Sequence, residues 1–380
     1  MATPAPNSLL ASLSGQPRVC EFLTRAVESG RASHAYLFVG APGSGKLDAA
    51  WALAQALLCP EHGCGACDDC RRVAHRTHPD VHLYAPESAT GYLVAQVREL
   101  IEDVSLTPVR AARKVYIVDR ADLLRSSSAN ALLKTLEEPP ENVSFILLGT
   151  STDIMLPTIV SRCQCVPFRT VPLAEATRAV VACTGLDEAR CRMAVAVAGS
   201  PARACEFLKS SERMAARRAA LAAVDGLAFD DEADILQAAK GLVEAIKAPL
   251  AEVKSTQQAV LEHDADYLSR GALKQLEERH KRELSQRERA SAMEVLASVR
   301  SLLRDVLLLA TGASGEIINQ DAADIVGRLA ARADAAAAAS ALDAVRACEE
   351  RISRNVTIQL ALEAMLFETR RALYAPGNTR

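Results

Sequence analysis

The chain has 380 residues, 49% apolar and 24% charged, with 44 basic side chains against 47 acidic ones. That length suits two or three domains with ample core, and a formal charge of −3 excludes coating of nucleic acid by bulk charge alone. No run of about 18 apolar residues offers a membrane span, and residues 1–7 carry neither the basic nor the apolar region of a secretory signal.

Eleven cysteines, four of them within twelve residues, point to metal binding in a reducing, cytoplasmic setting and not to a disulfide framework. Proline divides the sequence: fourteen of sixteen lie before residue 210. In chain order, short apolar runs at 35–39, 81–84, 115–118 and 145–148, with a weaker one at 165–168, read as strands. Helical periodicity at 47–58 and 126–138 lies between them. Strands alternating with helices predict a parallel sheet, with function at the carboxyl ends of its strands. Residues 171–208 read as a small helical module and 209–380 as an all-helical domain. The charged stretch 274–289 has Glu277/Lys281, Glu278/Arg282 and Glu283/Arg287 at the favourable i,i+4 spacing, as a solvated helix face would. The alanine run 333–339 suits a close-packed or an exposed helix equally.

Gly40-Ala-Pro-Gly-Ser-Gly-Lys46 follows the first strand and opens a helix, the context a phosphate-binding loop requires. Gly40, Gly43, Ser44 and Gly45 would wrap backbone N–H groups around phosphates of ATP or ADP at a helix N-terminus, and Lys46 would reach the β- and γ-phosphates. Leu47 stands where the motif wants a hydroxyl for Mg²⁺, and leucine offers a hard cation no oxygen. Asp119 ends an apolar strand as the acidic partner of such a loop. Arg120 follows it, where a glutamate would activate water, and arginine is no general base. Two losses in one site predict little or no unaided hydrolysis.

Cys59-x4-Cys64-x2-Cys67-x2-Cys70 places four thiolates on tight turns, matching a closed tetrahedral zinc site with a structural role. His62, His75 and His78 are nearby competitors as ligands. The remaining seven cysteines read as small buried hydrophobes. Acidic and basic residues are balanced around the cluster, without interleaved aromatics, which argues against a zinc module that reads nucleic acid directly.

A cysteine cluster after the first helix of a phosphate-loop domain, together with Asn130-Ala-Leu-Leu-Lys-Thr-Leu-Glu-Glu-Pro-Pro140 and Ser161-Arg-Cys163, resembles the bacterial clamp-loader branch of the AAA+ family. The resemblance runs through residues 15–205 and touches Arg354-Asn-Val-Thr-Ile-Gln-Leu-Ala-Leu-Glu363. It implies an α/β P-loop (AAA+) domain over 1–170 with the zinc module at 59–70, a helical lid over 171–208 and an all-α collar over 209–380. It also implies that Arg162 acts in trans as an arginine finger, that Thr150 or Ser151 is a polar sensor, and that Gly15, Gln16 and the 34–38 segment lie beside adenine. The family's second sensor arginine would fall at Ala202, one residue before Arg203. Gamma and tau, the motor subunits, keep a threonine after the loop lysine and an acidic pair after the second strand motif; delta lacks both the tripeptide and the cysteines. The implied part is therefore an accessory one. Its partners would be the gamma/tau motors, delta, the sliding clamp and primed DNA. A motor of the gamma/tau kind and a free-standing ATPase are the alternatives.

Overall fold

A computed structural model of the chain describes residue 13 and residues 15–87, 91–264 and 270–374. It divides into two compact units: residues up to 182 together with 199–203, and residues 183–198 together with 204 onward. The first unit runs α1 (Pro17–Glu28), β1 (Ala35–Val39), α2 (Lys46–Leu58), α3 (Asp68–Ala74), β2 (Val81–Tyr84), α4 (Val94–Val104), β3 (Lys114–Val118), α5 (Ser126–Glu137), β4 (Val143–Gly149), α6 (Pro157–Val160) and β5 (Gln164–Pro167).

The five strands are parallel in the order β2-β3-β4-β1-β5. Phe145 pairs with Ala35 and Gly149 with Val39, so β1 and β4 end level with each other. Central strands buried on both faces read as continuous apolar runs, and β3 and β4 are buried at every position. Side chains still alternate between two layers, as the period of two requires. Tyr36, Phe38, Ile117 and Ile146 pack with Leu23 and Leu53. Leu37, Tyr116, Phe145 and Leu147 pack with Leu100, Leu132 and Leu136. Because β1 lies between β4 and β5, its exit toward α2 falls at the point where the chain order reverses, the expected place for a ligand.

The helices α7 (Leu173–Thr184), α8 (Glu188–Ala198) and α9 (Pro201–Lys209) follow, with α8 in the second unit. The rest of that unit is α10 (Ser211–Gly226), α11 (Glu232–Lys247), α12 (Ala251–Asp264), α13 (Arg270–Thr311), α14 (Ala323–Ala330), α15 (Ala335–Ser353) and α16 (Ile358–Tyr374). Its core joins Leu221, Ile235, Leu242, Leu296, Leu303, Val345 and Met365. On α15 the buried residues include Ala337, Ala338, Ala341 and Ala344, so the alanine run lets this helix lie close to its neighbours. The charged stretch occupies the first half of α13, where the Glu283–Arg287 pair forms at 2.7 Å.

A polar knot sits inside this apolar unit. Arg217, 2% exposed, donates to both carboxylate oxygens of Asp321 at 2.6 and 2.9 Å and to Asn319 at 2.8 Å. Asn319 Nδ2 donates to Ser301 and Asp305, and the Asp305 carboxylate also takes the N–H groups of Ile318 and Asn319. A buried charge is tolerable only when paired, and here both Nη groups are engaged, while Nε finds no partner among the described residues. Among the described residues, no helix is long and apolar enough to cross a membrane.

Candidate nucleotide and metal sites

The loop after β1 has the backbone that its glycines permit. Gly45 caps α2 with φ 84° and Gly43 has φ 79°, the left-handed region that side chains disfavour. A Cβ on Gly40 would sit 2.5 Å from the Phe168 carbonyl oxygen, so only glycine fits there. Gln16 clamps the loop from α1's approach, donating to the Ser44 and Arg169 carbonyls at 3.0 and 2.7 Å. Ser44 is buried and its Oγ has no partner among the described residues.

Lys46 Nζ donates to the carbonyls of Gly40 and, at 3.0 Å, Ala41. Burial pushes its ammonium below the usual lysine range, against the opposing pull of Asp119 and Asp122. Burial likewise raises the Asp119 carboxyl, opposed by Arg120, Arg203 and Lys46. Tyr92 Oη fixes the end of β3, its single O–H shared between the Tyr84 and Asp119 carbonyls at 2.8 and 2.6 Å. Arg120 then turns the chain at φ 47°, a conformation uncommon for a side-chain-bearing residue. Thr150 Oγ1 lies 3.5 Å from Asp122 Oδ2, on the turn that follows β3.

Behind the loop lies a contact that no local sequence pattern signals. Asp48, on the first turn of α2, accepts from Ser200 Oγ at 2.6 Å and stands 3.8 Å from Arg203 Nε. The arginine one residue past the family position thus reaches the phosphate-loop helix. This arrangement fits phosphate through backbone N–H groups and Lys46. Leu47 supplies no ligand for Mg²⁺, and no general base stands at position 120.

The four cysteines come together as their spacing predicts. Their sulfurs all lie within 4.8 Å of one another, with Cys59 Sγ 3.6 Å from Cys64 Sγ and 3.7 Å from Cys67 Sγ. A tetrahedron with metal–sulfur bonds of about 2.3 Å has edges of about 3.8 Å, so the donor set fits a closed tetrahedral metal. Each sulfur but the last takes an N–H from the next cysteine: Cys64 N to Cys59, Cys67 N to Cys64, Cys70 N to Cys67. Burial raises the Cys59 thiol, but the N–H groups of Cys64, Gly63 and Glu61 outweigh it and bring it down to about 7. Gln55 ties the cluster to α2 by donating to the Cys70 carbonyl at 2.8 Å.

The histidines named as competing ligands lie outside the metal-ready group, which is formed by the four cysteines. His78 is held 3.3 Å from Asp69. Next to it, Asp80 is fully buried and accepts the N–H groups of Val109, Arg110 and Ala111 at 2.6–2.8 Å. Arg110 then grips Asp68 and Asp69 of α3 at 2.6 and 2.7 Å. In the sequence the one signal for this moor is an aspartate directly before a strand.

Arg162 follows the one-turn helix α6, whose Pro157 at the first position pre-sets its backbone. Its guanidinium is a third exposed and lies against Glu137, the last residue of α5.

Two family models match this chain. One, described as "DNA polymerase III, delta subunit", covers residues 15–172; the other, "DNA polymerase III, delta subunit, C terminal", covers residues 273–371. The DNA polymerase III subunit delta' of Bacillus subtilis is 42% identical over 157 residues, which is 40% of this chain and 47% of the relative. Subunit tau of Escherichia coli K12 is 41% identical over 158 residues, 40% of this chain and 24% of the relative. The matched segment therefore spans less than half the length of either. Among solved structures, the chain is similar to a DNA polymerase III gamma subunit-related protein of Thermotoga maritima. That match has TM-score 0.43 and 17% identity, covering 93% of this chain and 99% of that one, a likeness too slight to add weight.

Proposed function

Since this chain belongs to the DNA polymerase III clamp-loader family, we propose that it is a delta-prime-type accessory subunit of that complex. In this reading it helps ATP-driven loading of the sliding clamp onto primed DNA while hydrolysing little or no ATP itself. The observation that carries it is a pairing of opposites: Arg162 sits a third exposed just past a one-turn helix, while Leu47 and Arg120 disable the chain's own phosphate site. Presented to a neighbouring subunit's γ-phosphate, an arginine finger contributes roughly 10³–10⁵ in rate. The chain keeps the half of a composite site that it gives away and lacks the half that it would use.

The four-cysteine module takes zinc in this reading, and the ion's part is to hold the 59–75 insertion folded, since no coordination position remains open. The all-helical segment 209–380 serves as the collar joining this chain to gamma/tau and delta, with residues 171–208 as the lid.

A gamma/tau-like motor is the second reading, favoured by the near-equal identity to tau. One assay separates the two: ATP turnover by the pure chain, then with motor subunits, delta, clamp and primed DNA. We expect silence alone, stimulation in the mixture, and at least a tenfold loss of that stimulated turnover with Arg162→Ala. Magnesium-dependent turnover by the chain alone would establish the motor instead.

A further inference from the structure

Three of the five N–H donors of Arg162 are engaged within its own chain. Nη1 donates to the Thr158 carbonyl at 2.9 Å and to Ser161 Oγ at 3.2 Å. Nη2 is paired with Glu137 Oε1. Nε is buried and has no acceptor among the described residues. A guanidinium binds a phosphate or carboxylate best by the fork of two parallel N–H groups along one edge. Here the Nε–Nη2 edge is used by one carboxylate oxygen only, leaving its other donor buried and unsatisfied.

From this geometry we infer that Glu137 is a releasable cis partner for Arg162, withholding the finger in the free chain and surrendering it to the phosphate of a neighbouring subunit. The inference rests on the finger reading above. Glu137 closes α5, and Leu136 beside it shares a core layer with Ile159 of α6, so the carboxylate is held beside the guanidinium by packing and not by chance. The pair is nevertheless weak. The two side chains are 33% and 46% exposed, and solvent screens ion pairs of that kind heavily. A phosphate carrying more than one charge and able to satisfy both Nε and Nη2 outbids a single carboxylate oxygen. The orphaned Nε makes the withheld pose costly to keep, which favours exchange once a phosphate arrives.

Removing Glu137 removes the competitor. In the reconstituted complex with motor subunits, delta, clamp and primed DNA, Glu137→Gln should lower the ATP concentration for half-maximal turnover by about two- to five-fold, the span expected for losing a half-exposed pair. Maximal turnover stays as in the parent complex. Glu137→Asp, which keeps the charge at shorter reach, should shift the same constant in the same direction by less, a pattern that general loss of fold does not produce. An unchanged constant overturns the proposal. So does a fall in maximal turnover at an unchanged constant, which would make Glu137 a residue that orients the finger for attack. Arg162→Ala runs alongside: its full activity overturns the finger reading itself, whereas a silent Glu137→Gln beside an inactive Arg162→Ala overturns only the competition.

Discussion

Position 47 carries much of the functional argument, and one side chain tests it. Leu47→Thr restores an oxygen where a phosphate loop ligates Mg²⁺, yet Arg120 still occupies the place of the water-activating acid. The expected outcome is no measurable ATP turnover by the isolated variant, read in a phosphate-release assay; turnover with this change alone would show that Arg120 is no obstacle. At this scale the sequence was informative wherever chemistry demands a residue type at a fixed spacing. Gly43 and Gly45 take the left-handed backbone that their positions demand, and the four cysteines come together as their spacing predicts. It was silent wherever a side chain works through a partner distant in the chain. Asp80 moors residues about thirty positions away, Asp48 meets Ser200, and Glu137 meets Arg162. No local pattern announces such pairs, because only the folded topology brings them together.

Whole elements were easier to read. The strands predicted at 35–39 and 81–84 are β1 and β2 residue for residue, and the 145–148 run extends to seven residues in β4. Buried parallel strands are apolar without a break, so their centres are plain while their ends depend on hydrogen bonds that the sequence does not display. Composition alone left α15 open between exposure and close packing, since alanine suits both. Burial decides it: Ala338 and Ala341 are fully enclosed. Overpacking such a seam costs about 1–3 kcal/mol. Ala338→Leu should therefore lower the stability of the chain by that amount in denaturant titration, and Ala339→Leu, on the exposed side, should leave it within about 0.5 kcal/mol.

At the scale of the molecule, two compact units with separate cores imply that unfolding need not be a single event. The candidate metal module belongs to the first unit; the Arg217–Asn319–Asp305 knot belongs to the second. Stripping the metal with a chelator should lower the melting temperature of one calorimetric transition and leave the other in place. A joint shift of both would mean that the units unfold as one. Periodicity identified 171–208 as helical but not which neighbours each helix joins, and α8 packs with the second unit. Helical spacing records which face is apolar, not what covers it.

The relay of amides onto sulfurs has a consequence for how this module tolerates the loss of one thiol. Cys59, Cys64 and Cys67 each receive the N–H of the next cysteine in line, so losing one of those three thiols also strands the backbone of its successor. Single replacement of Cys59, Cys64 or Cys67 by serine is therefore expected to lower both metal content and the melting temperature of the first unit, whereas replacement of Cys70, whose sulfur receives no such N–H from a following cysteine, costs metal with less effect on the loop.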